Sequence, residues 1–402
     1  MPAAYQLSTV TYGTTCAPYL SIRVLHQLAK DEEQRFPLAA GVVRRNVYVD
    51  DALAGSDEIS TAHEMVEQVD GLFRAGGFRL HKWSSNVPII LSSIEPERRV
   101  KINREIEETP VLRALGLSWS PVLDTFIFEV RGDYRDADVP TKRSVLSFIA
   151  KLFDPLGWLA PVIVRAKILL QSLWHRNLDW DEALPEQLRI RWTTYVHELR
   201  SGAQFSIPRW IGVSPHSQIE IHGFSDASTD ALGAAVYVRV LSNCYRARTS
   251  LMLAKTKVAL MKKVTITRLE LTAAVLLCHL VVRVLTCFDD GEFPVYLWTD
   301  SAVALAWIRA DPARWKEFVA NRVEAIHELV PRAQWHHVPG TENPADLASR
   351  GLSPLELKNQ QIWWEGPSWL SESSCAWPTV IPDLPEGVEQ EERSTGAVFN
   401  VR

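Results

Sequence analysis

The sequence predicts a multidomain protein of mixed α/β and α+β class, in which a mixed β-sheet carries flanking helices. Two observations predict this class. Hydrophobic residues recur with the period of a strand in some segments and of a helix in others, and the two patterns alternate along the chain. The 402 residues suggest roughly two to four domains, and 47% hydrophobic residues are enough for a substantial core.

The composition and the apolar pattern argue against several classes of protein. The five cysteines are scattered without a Cys-x-x-Cys pair, which argues against a zinc cluster or a disulfide framework and favours a reducing compartment. The amino terminus lacks the pattern of a signal peptide, and the longest apolar run, 273–282, is far shorter than the roughly 20 residues that span a bilayer. We therefore expect a protein that is neither secreted nor bound to a membrane.

Four regions follow from the patterns. Residues 1–130 mix helices and strands, and residues 131–215 are mainly helical and rich in tryptophan. Residues 216–352 form a second α/β unit. Residues 353–402 are expected to be a linker and a disordered tail, because their end is rich in Ser, Glu and Pro.

Two elements of the first region carry identifiable signals. Residues 46–55 predict a strand and its return, with the acidic pair Asp50 and Asp51 at the turn. A helix is expected to begin with Ser60 as its cap and to end before Gly76.

The region 216–352 predicts a mixed sheet with helices packed on it. Its predicted order is β-β-β-α-β-α-α-β-α, with strands at 219–224, 232–241, 248–254, 295–298 and 334–338, long helices at 268–285, 301–309 and 313–329, and a short last helix.

Four acids of this region occupy places from which the topology can bring them together. Asp226 and Asp300 each end a strand, and Glu270 and Asp346 each lie in the first turn of a helix. If the two strands are neighbours, all four carboxylates can converge. Clustered carboxylates repel, so the cluster requires a compensating cation, and oxygen ligands suit Mg²⁺ or Mn²⁺. Two such ions can activate a water and stabilise the leaving oxygen of a phosphodiester.

Each acid also has a structural explanation. Thr267 and Glu270 form a capping-box pattern. Asp300 fits a helix N-cap and Asp346 favours a helix dipole, while Asp226 fits a turn. These explanations stay open for each acid alone, and only the combination in this order favours a catalytic site.

The stretch 223–351 resembles the RNase H domain of retroelements. The matching motifs are Phe224-Ser225-Asp226-Ala227-Ser228, Arg268-Leu269-Glu270-Leu271, Trp298-Thr299-Asp300-Ser301 and Asn343-Pro344-Ala345-Asp346-Leu347-Ala348-Ser349-Arg350-Gly351. The family's four metal-binding acids map onto Asp226, Glu270, Asp300 and Asp346. The resemblance implies a ribonuclease that uses two Mg²⁺ or Mn²⁺ ions to hydrolyse the RNA of RNA–DNA hybrids.

The rest of the chain resembles a polyprotein of BEL/Pao LTR retrotransposons. Tyr48-Val49-Asp50-Asp51 resembles the reverse-transcriptase palm motif, and 141–147, 153–157 and 178–182 resemble the segment between polymerase and RNase H. The resemblance implies a partial palm or thumb, a connection region and an RNase H domain, located in cytoplasmic virus-like particles or the nucleus, with other polyprotein products as partners. A further polymerase Asp would lie upstream, so we expect polymerase activity to be lost.

Cations close to aromatic residues predict contacts with RNA–DNA hybrids and with single- and double-stranded nucleic acid. The predicted contacts are Lys82, Arg268, Arg314, Trp315 and Lys316. A plain amphipathic helix explains the last three as well.

Two other functions stay open. A decayed or domesticated copy would bind nucleic acid without cutting it. A Pao-type aspartic peptidase would need Asp-Thr-Gly or Asp-Ser-Gly loops that share a proton, and the sequence contains neither triplet.

Overall fold

The computed structural model divides into two compact units, one of Met1–Phe128 with Phe205–Trp210 and a larger one of Glu129–Gln204 with Ile211–Arg402. The structure describes residues 9–11, 13–100, 111–129, 139–202, 204–215, 217–241, 247–260, 262, 264–288, 291–379 and 388–393. Within these ranges, no helix combines the length and the apolar character needed to cross a bilayer.

The smaller unit contains a helical part and a four-stranded sheet of order β3-β4-β5-β6. Its elements are α1 (Ala17–Asp31), α2 (Pro37–Asn46), β1 (Val47–Tyr48), β2 (Asp51–Ala52), α3 (Ile59–Ala75), β3 (Leu112–Ala114), β4 (Leu117–Ser120), β5 (Thr125–Glu129) and β6 (Gln204–Pro208). Apolar side chains of the three helices form one core, in which Ala29, Val43 and Leu72 are fully buried.

The hairpin predicted around the acidic pair is present. Strands β1 and β2 pair antiparallel, with Tyr48 opposite Asp51 and Val49 in the left-handed region at φ 55°. The predicted cap of the next helix is wrong, because Ser60 lies inside α3 and Glu58 is the N-cap residue without a side-chain hydrogen bond.

The larger unit is built on a five-stranded sheet of order β11-β10-β7-β8-β9. Its elements are α4 (Lys142–Lys151), α5 (Ala160–His175), α6 (Glu186–Gly202), β7 (Gln218–Ala227), β8 (Ala231–Leu241), β9 (Arg248–Val258), α7 (Ile266–Leu285), β10 (Val295–Thr299), α8 (Ala302–Arg309), α9 (Glu317–Leu329), β11 (Gln334–His337) and α10 (Pro344–Arg350). Strand β10 runs parallel to β7 and β11, whereas β8 is antiparallel to β7 and β9. This confirms the predicted order of elements and the mixed sheet.

Helices cover both faces of this sheet, which is why nearly all of β8 is buried. Two glycines permit helices α7 and α10 to approach the sheet closely. A Cβ at Gly223 would lie 2.7 Å from the Leu277 side chain of α7, and one at Gly233 would lie 2.6 Å from the Ala345 carbonyl oxygen of α10. Side chains larger than hydrogen would push either helix away from the strands.

The helices of the predicted connection region belong to the same unit as the sheet. The Ala254 amide of β9 donates to the Leu156 carbonyl at 2.8 Å, and the Leu352 amide after α10 donates to the Pro161 carbonyl of α5 at 3.0 Å. Gly157, at φ 71°, has no room for a Cβ, which would lie 1.8 Å from the Ala254 oxygen. The unit therefore extends across the boundary predicted at residue 215.

The chain after α10 also packs on the sheet. Helices α11 (Pro354–Lys358) and α12 (Gln361–Glu365) are followed by single helical turns at Ser368–Ser371, Ser374–Ala376 and Val388–Glu391.

The prediction of a linker and disordered tail is wrong for 354–379 and 388–393, while 380–387 and 394–402 lie outside the described residues. The buried Trp363 explains the difference, because its ring nitrogen donates to the Trp158 carbonyl at 2.8 Å. The polar composition of this part of the chain gives no indication of the buried Trp363 contact.

Candidate active site

Asp226 and Asp300 leave the sheet side by side. Strands β7 and β10 are parallel neighbours whose last register pair is Ser225 with Thr299. Asp226 is the next residue of β7, and Asp300 is the first residue after β10. The condition on which the predicted cluster depended is therefore met, and the topology alone brings these two carboxylates to one edge.

Glu270 reaches the same place from the first turns of α7. That helix starts at Ile266, with Thr265 as an N-cap residue that makes no side-chain hydrogen bond. Thr267 is therefore not a cap, and the capping-box explanation of Glu270 is excluded. One carboxylate oxygen from each of Asp226, Glu270 and Asp300 lies within 4.8 Å of the other two. We call this group the acidic triad.

The environment of the acidic triad disfavours negative charge. Burial, reinforced by repulsion from Asp226 and Asp300, raises the pKa of Glu270 to about 9. Burial also raises the pKa of Asp226 to about 6, against a hydrogen bond from Ser349 that lowers it. Burial likewise raises the pKa of Asp300.

Two oxygens of the triad are unsatisfied. Within the described residues, Glu270 Oε2 and Asp300 Oδ1 are buried and accept no hydrogen bond. Buried acceptors normally have a donor, and a carboxylate oxygen without one is a good ligand for a hard divalent cation. The donor set and its surplus of negative charge therefore fit Mg²⁺ or Mn²⁺.

Asp346 differs from the other three acids. It lies in the first turn of α10, where Arg350 one turn later donates to its carboxylate. Its charge nevertheless raises the pKa of Glu270. The structure thus gathers three of the four predicted acids into one group and places the fourth beside it, where Arg350 pairs with it.

Two polar residues of α10 hold the triad in place. Ser349 Oγ donates to Asp226 Oδ2. Asn343, the N-cap of α10, donates from Nδ2 to the Ser225 carbonyl at 3.0 Å and also hydrogen-bonds Asp300. Both belong to the quoted terminal motif, but only the contacts reveal their role as positioning residues.

The predicted nucleic-acid contacts have different environments. Trp315 is 1% exposed and its ring nitrogen donates to the Trp307 carbonyl at 3.1 Å, so the prediction that this ring contacts nucleic acid is wrong. Its position between two cations in the sequence suggests a surface contact, but Trp315 is a core side chain. Arg268, Arg314 and Lys316 contact residues 390–392, and Lys82 is exposed in the smaller unit.

The acidic pair of the smaller unit forms no comparable group. Asp50 is exposed at the turn, and Asp51 accepts a hydrogen bond from the Leu115 amide at 3.3 Å. Across the described ranges, the acidic triad is the one group of three residues with metal-ligand geometry.

Several solved structures resemble the chain in outline. The amino-terminal RNase H domain of a Mycobacterium tuberculosis protein is 10% identical, covering 36% of this chain and 97% of its own, with a TM-score of 0.25. RNase H1 from Halobacterium salinarum is 16% identical, covering 32% and 90%, with a TM-score of 0.21. The foamy viral protease-reverse transcriptase in complex with dsDNA is 14% identical, covering 82% and 60%, with a TM-score of 0.22. At these scores none of them carries a residue role over to this chain.

The match to a family is more specific. Residues 141–301 match the model of the Pao retrotransposon-like RNaseH-like domain, and no curated protein matches the sequence. The matched segment runs from the start of α4 to the end of β10 and contains Asp226, Glu270 and Asp300. Residues 141–301 are therefore similar to the Pao retrotransposon-like RNaseH-like domain.

Proposed function

We propose that the larger unit is a ribonuclease that hydrolyses the RNA strand of an RNA–DNA hybrid. The observation that carries this proposal is the acidic triad, whose ligand oxygens lie within 4.8 Å of one another at one edge of the sheet. A serine or histidine nucleophile is not needed for phosphodiester hydrolysis when water is the attacking group. The 2'-hydroxyls and groove shape of the hybrid distinguish it from duplex DNA.

The residues that would hold divalent ions are Asp226, Glu270 and Asp300, with Asp346 beside them. Bound Mg²⁺ or Mn²⁺, proposed as a pair, supplies positive charge and Lewis acidity for attack of water on phosphorus. The chain's own residues prepare the site. Ser349 and Asn343 fix the carboxylates of Asp226 and Asp300, and the unsatisfied oxygens of Glu270 and Asp300 remain free to act as ligands.

Cleavage of a labelled RNA–DNA hybrid in Mg²⁺ or Mn²⁺ tests this function. Asp300→Asn should lower the cleavage rate by more than the roughly 10–100-fold typical for loss of an outer-shell partner of a metal ligand. Asp230→Asn is the matched control, because Asp230 is an exposed acid in the turn between β7 and β8. It should cleave at the unaltered rate.

The same assay separates the alternatives. If the unaltered protein binds the hybrid but yields no product in either metal, the chain is a nucleic-acid-binding remnant and the nuclease proposal fails. If Asp300→Asn cleaves as fast as Asp230→Asn, the triad is not the active site.

A further inference from the structure

A short acidic segment covers the cations that were predicted to contact nucleic acid. The acidic segment, residues 388–393, contains three glutamates and one arginine. Arg268 Nε donates to Glu391 Oε1 at 2.8 Å, and Arg314 Nε donates to Glu392 Oε1 at 2.6 Å. Lys316 Nζ donates to the Gln390 carbonyl at 2.5 Å. We call Arg268, Arg314 and Lys316 the basic cluster.

Backbone contacts show that this covering has a defined register. The Lys316 amide donates to the Glu391 carbonyl at 2.7 Å, and the Arg393 amide donates to the Arg314 carbonyl at 3.0 Å. Trp315 and Glu392 form an antiparallel bridge between these bonds. The acidic segment therefore consists of the helical turn Val388–Glu391 followed by a bridge at Glu392, and it places Glu391 and Glu392 against the cations.

The first residue of the acidic segment, Val388, is buried in the core, whereas Glu392 near its other end forms a partly exposed ion pair. Val388 is 2% exposed in the core, and its carbonyl accepts a hydrogen bond from the Trp307 ring at 3.2 Å. The ion pair at the other end is open to solvent, with the Arg314 side chain 52% exposed and that of Glu392 33% exposed. Exposed ion pairs contribute little to stability, so a competing anion can displace them.

The glutamate that contacts Arg268 is incompletely satisfied. Glu391 Oε2 is buried and accepts no hydrogen bond within the described residues. A buried acceptor without a donor is unfavourable, so release of this carboxylate into water offsets part of the cost of breaking the pair with Arg268. The contact between segment and cluster is therefore well ordered but easily exchanged.

We propose that the basic cluster binds the phosphate backbone of a nucleic acid and that the acidic segment competes with it for the same cations. This inference rests on the proposed function for its ligand, a polynucleotide.

Binding of a fluorescent RNA–DNA hybrid, measured by anisotropy in EDTA so that no cleavage occurs, tests the competition. Glu391→Gln with Glu392→Gln should tighten binding by at least about threefold, because two cations lose their intramolecular anions. The slope of log affinity against log salt should steepen by roughly two, since each additional phosphate contact contributes roughly 0.9. Glu389→Gln is the matched control, because Glu389 is exposed and forms no ion pair within the described residues; it should bind as the unaltered protein does.

A third substitution checks that the gain comes from the basic cluster. Arg314→Gln added to the double variant should remove part of the gain in affinity and reduce the salt slope by roughly one. If the double variant folds poorly, Glu392→Gln alone perturbs only the exposed pair and should still tighten binding.

An unchanged affinity in a folded Glu391/Glu392 or Glu392 variant overturns the inference. Because cleavage does not enter this measurement, its failure is distinct from that of the nuclease proposal, which depends on Asp300→Asn.

Discussion

At the scale of single residues, the acidic triad should destabilise the protein in the absence of a divalent cation. Asp300→Asn removes a negative charge beside that of Asp226 while keeping a side chain that accepts the hydrogen bond from Asn343. We expect the free energy of unfolding to rise by about 1 kcal/mol in EDTA, or roughly 2–4 °C in melting temperature. Asp230→Asn should leave the melting temperature unchanged, and a lower melting temperature for Asp300→Asn would contradict the repulsion.

The sequence alone predicts which acids matter more reliably than it predicts their partners. Asp226 and Asp300 could be predicted as site residues because each comes at the end of an apolar strand, where a carboxylate seldom serves to stabilise the fold. Ser349 and Arg350 could not, since the carboxylate that each contacts depends on where α10 packs. Trp315 was misassigned for a related reason, because only tertiary packing decides whether an indole beside two cations is buried.

At the scale of elements, the close approach of α10 to β8 should control the geometry of the site. In Gly233→Ala, the new Cβ would lie 2.6 Å from the Ala345 carbonyl oxygen and displace the helix that carries Ser349 and Asn343. We expect a loss of about 1–3 kcal/mol in the free energy of unfolding, as for other overpacked sites, and weaker binding of Mn²⁺ to the folded variant.

Urea unfolding and calorimetric titration with Mn²⁺ measure these two effects. Gly55→Ala is the control, because a Cβ at Gly55 meets nothing within 4 Å. Equal Mn²⁺ affinity in the two variants would show that the position of α10 does not matter to the site.

The order of strands and helices in the larger unit was predictable because each element keeps one hydrophobic period over its whole length. Element ends were less predictable. Helix α7 begins at Ile266 after a residue that does not cap it, and α3 begins one residue before the expected cap, Ser60. Local capping preferences are weak, and packing of the apolar face overrides them. The tail was mispredicted because a few buried tryptophans outweigh a polar average.

At the scale of the whole molecule, stability should depend on pH through the triad. Glu270 has a pKa of about 9 in the folded chain against an ordinary value of 4.5, so the folded protein binds the extra proton between these values. The free energy of unfolding in EDTA should therefore fall as pH rises through this window. Divalent cations bind the deprotonated carboxylates, so their stabilising effect should grow with pH.

Melting temperatures in EDTA and in Mn²⁺, at about pH 6 and about pH 8, measure both trends. Glu270→Gln should flatten the decline in EDTA and reduce the stabilisation by Mn²⁺. If the EDTA melting temperatures rise with pH in this range, Glu270 does not hold a proton in the folded protein.

The parallel pairing of β7 with β10 has a consequence for the newly made chain. Parallel neighbours cannot be joined by a tight turn, and here β8, β9 and α7 intervene between the two strands that deliver Asp226 and Asp300. A chain still emerging from the ribosome, with residue 300 inside the exit tunnel, therefore carries Asp226 and Glu270 without Asp300. The acidic triad is complete only when translation has passed β10 and the crossover between the two strands has closed.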